Sequence, residues 1–434
     1  MSQDQYTKKA ADIQAFVAEN EGLAKATGAV KRESKMTGQL LALTMLLGIL
    51  KNPKASLEDL ALTAFKLGVE ISEQGLSQRV QNAADFFGAL FQRALEQFRN
   101  DTQLDVALLK QFSAIYVLDS TQIELWDGLA TMWRGSGGMA SKAALKLHLM
   151  LDYLTGSVTA VDLTAGTSAD TRFTYPTIVT GALYLQDMGY FQFGVFSRIM
   201  DAQAYFVSRL KPNVVLFSDP DTRIDLYLFL NAILGDCFET DVLVGVDDQI
   251  PLRTLFFRVP PSVAAERRRK AKANAKKKKR TLSKAYLTGL DWTIYITNLP
   301  PTMASSQQIH LLYRIRWQIE LVFKLLKSQL ALDQAGNYSA ATLQCRLYAR
   351  LTLFVLLTFL TADVRFDGER EASWVKAFHV FKSYADDLLS LVHPHWAELP
   401  RLLATLQRAF RRFALKTRRR SCPSTLDLIR LSSP

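Results

Sequence analysis

The chain has 434 residues, 49% of them hydrophobic and 22% charged, with a formal net charge of +12. That length accommodates two to four domains with sizeable cores, and the apolar fraction is that of an ordinary globular protein. Three widely spaced cysteines (Cys237, Cys345, Cys422) argue against both a disulfide framework and a cysteine zinc site, and fit a reducing cytosol.

The N-terminal stretch Met1–Tyr6 is polar and no apolar segment of signal-peptide type follows it. The apolar runs Leu40–Leu50 and Leu351–Leu360 are too short to span a bilayer, so both read as buried helices and no membrane partner is expected. The positive charge is concentrated. Residues 261–280 hold ten Lys/Arg against one Glu, and residues 401–434 hold nine against one Asp, leaving the other 380 residues at about −5 by difference. Two such patches are the footprint of a protein that binds a phosphate backbone; a solvated basic tail is the bland reading of either patch alone.

Residues 1–110 read as helical. Ser56 with Asp59 forms a capping-box pattern opening a helix to about Leu67, Gly68 breaks it, and a second helix begins near Leu76-Ser77-Gln78-Arg79-Val80. Helix, turn and a helix with Ser, Gln and Arg in its first turn is the pattern of a helix-turn-helix reader, although any small bundle has such corners. The periodicity changes at Ala114–Leu118, a β-rich run ending on Asp119-Ser120-Thr121. Ala144–Leu151, Ser157–Leu163, Ala182–Leu185 and Ala204–Val207 follow as strands with helices between, an α/β pattern. Asp119 and Asp187 stand at strand C-terminal ends, where sheet-based active sites are built. From 211 to 300 the strands Val242–Val246, Arg253–Val259 and Trp292–Thr297 suggest a β-rich insertion, with the basic tract as a loop or helix. A helix is expected over Ser306–Leu330, and residues 341–434 return to helix, broken at His393-Pro394.

Within that helix Tyr313, Arg316, Glu320 and Lys327 fall at offsets 0, 3, 7 and 14. At about 100° per residue, all four occupy a sector of roughly 60°, while Ile315, Ile319, Val322 and Leu326 cluster on another. A carboxylate among cations and a phenol suits a site that holds a metal and a phosphate together. Two Mg²⁺ ions held by carboxylates can activate water and neutralise a phosphodiester, and Asp119, Asp187 and Glu320 would supply such a cage. Taken singly, Asp119 could be a cap, Asp187 a turn residue, and Glu320 a surface partner of Arg316 or Lys324.

The pattern Tyr313-x2-Arg316-x3-Glu320-x6-Lys327 resembles the Y-R-E-K signature of bacterial insertion-sequence transposases of the D-D-E type. Asp119-Ser120-Thr121 is similar to that family's first D-x-T element. Asp187-Met188-Gly189-Tyr190 is similar to its second, with Met188 where an Arg is common. The resemblance implies an RNase H-like α/β core interrupted by a β-rich insertion and flanked by helical end domains. It divides the chain into a DNA-end-binding domain (1–110), the core in two parts (111–210 and 301–340), the insertion (211–300) and a C-terminal domain for DNA contact or dimerisation (341–434). It also implies Asp119, Asp187 and Glu320 as ligands of two Mg²⁺ ions, with Mn²⁺ substituting. Tyr313, Arg316, Lys327 and Lys324 would bind phosphates, and Trp292 would stack on an extruded base during hairpin formation, helped by Trp317; core packing is the competing role for Trp292. The implied partners are transposon terminal repeats, target DNA and a second subunit, in a cytoplasmic, nucleoid-associated setting.

Other candidates are weaker. Gly135-Ser136-Gly137-Gly138 lacks the Lys-Ser/Thr of a P-loop, and His393-Pro394-His395 has no further ligands beside it in sequence. Asp152 is a spare carboxylate; Asp162 and Asp170 are the reserves for Asp187. The alternative functions are a non-catalytic DNA-binding derivative of a transposase and an RNase H-fold nuclease without strand transfer.

Overall fold

A computed structural model describes residues 3–32, 35–100, 104, 106–137, 140–334, 336–367, 370–391, 395–417 and 423–432. His393-Pro394, Cys422 and Arg418–Arg420 of the basic tail lie outside these residues. The chain begins with helices α1 (Gln3–Ala18), α2 (Asn20–Ala26), α3 (Gly38–Lys51), α4 (Leu57–Lys66), α5 (Glu73–Gln81), α6 (Ala84–Gln97) and α7 (Ala107–Lys110). Strands β1 (Ile115–Leu125), β2 (Ala143–Asp152), β3 (Val158–Ala165) and β4 (Leu183–Gln186) precede α8 (Phe193–Asp201) and β5 (Tyr205–Arg209). Then come β6 (Leu216–Asp219), β7 (Thr222–Arg223), α9 (Leu226–Ala232), β8 (Cys237–Val244), β9 (Ile250–Arg258), α10 (Pro261–Lys277), α11 (Lys284–Gly289) and β10 (Trp292–Thr297). Helices α12 (Ser306–Arg314), α13 (Trp317–Ser328) and α14 (Ala340–Thr361) are followed by a hairpin of β11 (Phe366–Asp367) and β12 (Arg370–Glu371). Helices α15 (Trp374–Ser383), α16 (Ala385–Leu391), α17 (Leu399–Phe413) and α18 (Thr425–Ser432) complete the chain.

Two compact bodies divide these elements. The first comprises residues 1–104, 120–168 and 317–423; the second comprises 105–119, 169–316 and 424–434. The first is built around α14, which packs against α3, α5 and α6. This helix is apolar and long enough to cross a membrane, but 83% of its most apolar window is buried, as in a core helix. The Ser56–Asp59 capping box closes reciprocally at the start of α4, and Gly68 turns the chain at φ +83°, beyond the reach of most side chains. In this body the strand order is β3-β2-β1, using the distal half of β1.

The second body carries the order β1-β4-β5-β10-β9-β8-β6-β7. Strands β1, β4 and β5 are parallel, and β10 closes antiparallel on β5 and β9. The basic tract is helical: Pro261 opens α10 with its fixed φ, and Ala, Arg and Lys propagate it. Two expectations need correction. First, β1 does not stop before Asp119 but continues to Leu125; what stops at Leu118 is its pairing with β4. Second, the Ser306–Leu330 helix is interrupted at Ile315–Arg316, where both amides reach back three residues, to Leu312 and Tyr313. Bonds to the third preceding carbonyl tighten the turn, so the single continuous polar face becomes two shorter ones.

Candidate active site

Adjacent parallel strands level Asp119 and Asp187. Leu118 of β1 is in register with Gln186 of β4, so the next residue on each chain segment is an aspartate. Neighbouring strands lie about 4.8 Å apart, close enough for the two carboxylates to share cations. Asp187 enters a short 3₁₀ turn, Met188–Tyr190, without a side-chain cap bond, so helix capping does not account for it. Gly189 follows for a steric reason: a Cβ there would stand 2.6 Å from Oδ2 of Asp170, a reserve candidate.

Arg316 donates from Nη1 to Oδ2 of Asp119 at 2.8 Å, with the two side chains only 16% and 20% exposed. Its guanidinium also lies 5.9 Å from the ring centre of Tyr313. The Tyr313 hydroxyl donates to the Gln186 carbonyl at 3.2 Å. Burial, with the nearby charge of Asp187, pushes the Tyr313 phenol well above its ordinary range. It therefore stays protonated at neutral pH and keeps a hydrogen to donate. Tyr295 packs against it at 4.9 Å and is itself pushed up to about 12, mainly by burial.

Glu320, Lys324, Lys327 and Trp317 belong to the first body, on α13. Glu320 and Lys327, seven residues apart, share one face of that helix, and Lys327 donates to the Gln122 carbonyl at 3.1 Å. Lys324 is exposed and Trp317 is 57% exposed. Among the described residues, no group of three or more His, Cys, Asp or Glu is gathered closely enough to hold a metal. The Asp119–Asp187 pair nonetheless fits a hard divalent cation by donor chemistry: two carboxylates on neighbouring chain segments where the β1–β4 pairing stops, beside a cation that already takes one of them.

Trp292 is 3% exposed, and the Arg258 guanidinium sits 4.4 Å from its ring centre. It borders a cavity of about 700 Å³ in the second body, lined also by Met188, Arg209, Lys211, Arg223 and Arg267. Apart from Arg267, which belongs to the basic tract, these cations were not singled out in the sequence, because they come from separate segments with no motif. Gln186 was missed too. It is fully buried, and its amide and the Tyr175 hydroxyl, within electrostatic reach of each other, make no hydrogen bond of normal geometry. The reserve carboxylate Asp162 pairs in register with His148 on the β2–β3 hairpin, and the spare carboxylate Asp152 shapes the turn of that hairpin by accepting from Leu154 and Thr155.

Two aspartates on adjacent parallel strands, flanked by an arginine and a buried phenol, make an acidic site with a cation and a hydrogen-bond donor beside it. Residues 110–356 match the family described as "Transposase DDE domain". The chain belongs to that family, whose activity is DNA transposition. It is 27% identical over 437 residues to the transposase for insertion sequence element IS231D of Bacillus thuringiensis subsp. finitimus, covering 94% of this chain and 91% of that protein. It is 25% identical to the transposase for IS1151 of Clostridium perfringens, covering 83% and 82%. Among solved structures, the piggyBac transposase synaptic complex with hairpin DNA aligns with a TM-score of 0.42 at 12% identity, over 90% of this chain and 82% of that one.

Proposed function

We propose that the chain cuts its element's DNA ends by hydrolysis and joins the freed 3′-OH to target DNA, on an RNase H-like core with Asp119, Asp187 and Glu320 as metal ligands. The observation that carries this reading is the Leu118–Gln186 register, which sets two aspartates side by side. Two Mg²⁺ ions, or Mn²⁺ in their place, would supply water activation and charge neutralisation when bound. Arg316 orients the Asp119 carboxylate and adds positive charge beside it. Tyr313 offers a protonated hydroxyl to a phosphate oxygen, and Lys327 with Lys324 holds flanking phosphates. Trp317 is assigned to an unstacked base during hairpin processing; Trp292, 3% exposed under the Arg258 guanidinium, would join it only once uncovered, and core packing remains its competing role.

Residues 1–110 are assigned to end binding, 211–300 to the insertion within the core, and 341–434 to DNA contact or dimerisation, with two subunits pairing two ends in the cytoplasm on the nucleoid. A nuclease without strand transfer is the competing reading. Cleavage of a labelled terminal-repeat duplex with Mg²⁺ tests both. Asp119→Ala, Asp187→Ala and Glu320→Ala should each cut at least about 10³-fold more slowly, a loss of several kcal/mol of transition-state stabilisation. Full cutting by all three sinks the ligand assignment; cutting by the parent without a joined product favours the nuclease.

A further inference from the structure

Helix α10 has two faces of different character. Ala264, Arg267, Arg268, Ala271 and Ala275 recur at helical spacing and, with Glu266 beside them, are the buried or half-buried positions. Arg267 donates to the Leu290 and Trp292 carbonyls and to Thr293 Oγ1, at 3.4, 3.0 and 3.1 Å, while Arg268 pairs with Asp291 at 2.9 Å. These contacts pin one side of the helix to the start of β10. The other side carries Arg269, Lys270, Lys272, Lys276 and Lys277, and the turn beyond it adds Lys278, Lys279 and Arg280, all exposed. Glu266 engages only Arg269 and Lys270. Lys272, Lys276, Lys277 and Lys279 have no acidic partner among the described residues.

The C-terminal turn carries an independent sign. Arg280 N–H bonds the Ala275 carbonyl and Lys279 N–H the Lys276 carbonyl, at 3.0 and 3.3 Å, the closure of a Schellman motif. The residue held in the left-handed conformation is Lys279, at φ +50°, where glycine fits best. A β-carbon there costs roughly 1–2 kcal/mol. The helix macrodipole rewards cations in the last turn, but it gives no reason for a lysine in that backbone conformation.

We propose that the outer face of α10 and its closing turn grip the phosphate backbone of duplex DNA without reading sequence. The claim rests on the transposase reading. Each DNA strand presents a phosphate about every 3.4 Å along the helix axis, and Lys272 to Lys279 span roughly 10 Å of protein, so several contacts form together. Lysine ammoniums are point charges on flexible stems, suited to phosphates rather than to base edges. Beyond Val263 the outer face carries no large apolar side chain, so it lacks what an interfacial membrane helix requires.

The test is equilibrium binding of the full chain to a terminal-repeat duplex and to a random duplex over a range of salt. Replacing Lys272, Lys276, Lys277 and Lys279 together by Gln should flatten the slope of log K against log salt by about 2–4, near 0.9 per lost phosphate contact, equally on both duplexes. Lys279→Gly should flatten it by about 1 while raising Tm by about 1–2 °C, a combination that a misfolded variant cannot produce. Unchanged slopes, or a loss confined to the terminal-repeat duplex, overturn the proposal. The two readings fail separately. Lysine variants that bind and cleave like the parent refute the grip alone. A parent that binds through α10 but never cleaves its ends refutes the transposition chemistry alone.

Discussion

Arg346 and Arg350 of the first body and Arg316 of the second do opposite work. In the first body, Arg346 and Arg350 are 1% and 2% exposed on α14 and donate to the Ala55 and Pro53 carbonyls, at 2.8 and 2.9 Å. They satisfy backbone groups of the α3–α4 connection, and burial pulls Arg350 down to about 10. In the second body Arg267 is likewise a staple on backbone carbonyls, whereas Arg316 faces Asp119 and the outer cations of α10 face solvent. The same side-chain chemistry therefore serves as an internal staple at Arg346, Arg350 and Arg267 and as a carboxylate-facing charge at Arg316. Partner and burial decide which, and neither is visible in the residue type.

Exchanging each arginine for methionine separates the two roles. Arg316→Met should slow end cleavage by about 10²-fold or more through loss of the charge beside the reacting phosphate, with Tm little changed. Arg350→Met should do the reverse, costing about 1–3 kcal/mol in a denaturant titration because the buried Pro53 carbonyl loses its donor, with near-normal cleavage by the folded fraction. If both variants lose stability and activity in parallel, the division of labour fails.

An effect confined to alkaline pH sharpens the account of the second body. The ordinary phenol of an unfolded chain titrates near 10, whereas Tyr295 titrates at about 12. Between those values the unfolded chain releases a proton that the folded chain retains, so stability present below pH 10 is lost as pH rises toward 12. Tyr295→Phe should remove about 2–3 kcal/mol of that pH-dependent loss, read from denaturation at several pH values. An unchanged profile would place the Tyr295 hydroxyl in contact with solvent.

Much of the second body was legible because its strands are short β-branched or aromatic runs. Trp292–Thr297 is a strand over those residues, and the basic tract is among the helical possibilities its composition allowed. The interruption at Ile315–Arg316 was not legible. No Pro or Gly marks it, and the tightened turn comes with the long-range pull of Asp119 on Arg316. The continuation of β1 past Asp119 was hidden for a related reason: the polar run Asp119-Ser120-Thr121-Gln122 looks like a strand end, yet backbone pairing carries it onward. Strand-end position and the family resemblance pointed to Asp119 and Asp187, but their side-by-side placement depends on a register that only the fold supplies. Of the cavity's cations only Arg267, within the basic tract, had a signal in sequence; Arg209, Lys211 and Arg223 had none, since they come from segments outside it.

The central claim, that Asp119 is a metal ligand rather than a partner of Arg316 alone, is tested most directly by a metal-specificity switch. Asp119→Cys replaces a hard oxygen with a soft thiolate, so cleavage of the terminal-repeat duplex should be lost with Mg²⁺ and recovered in part with Mn²⁺. Equal cleavage by the variant and the parent in Mg²⁺ would contradict the assignment.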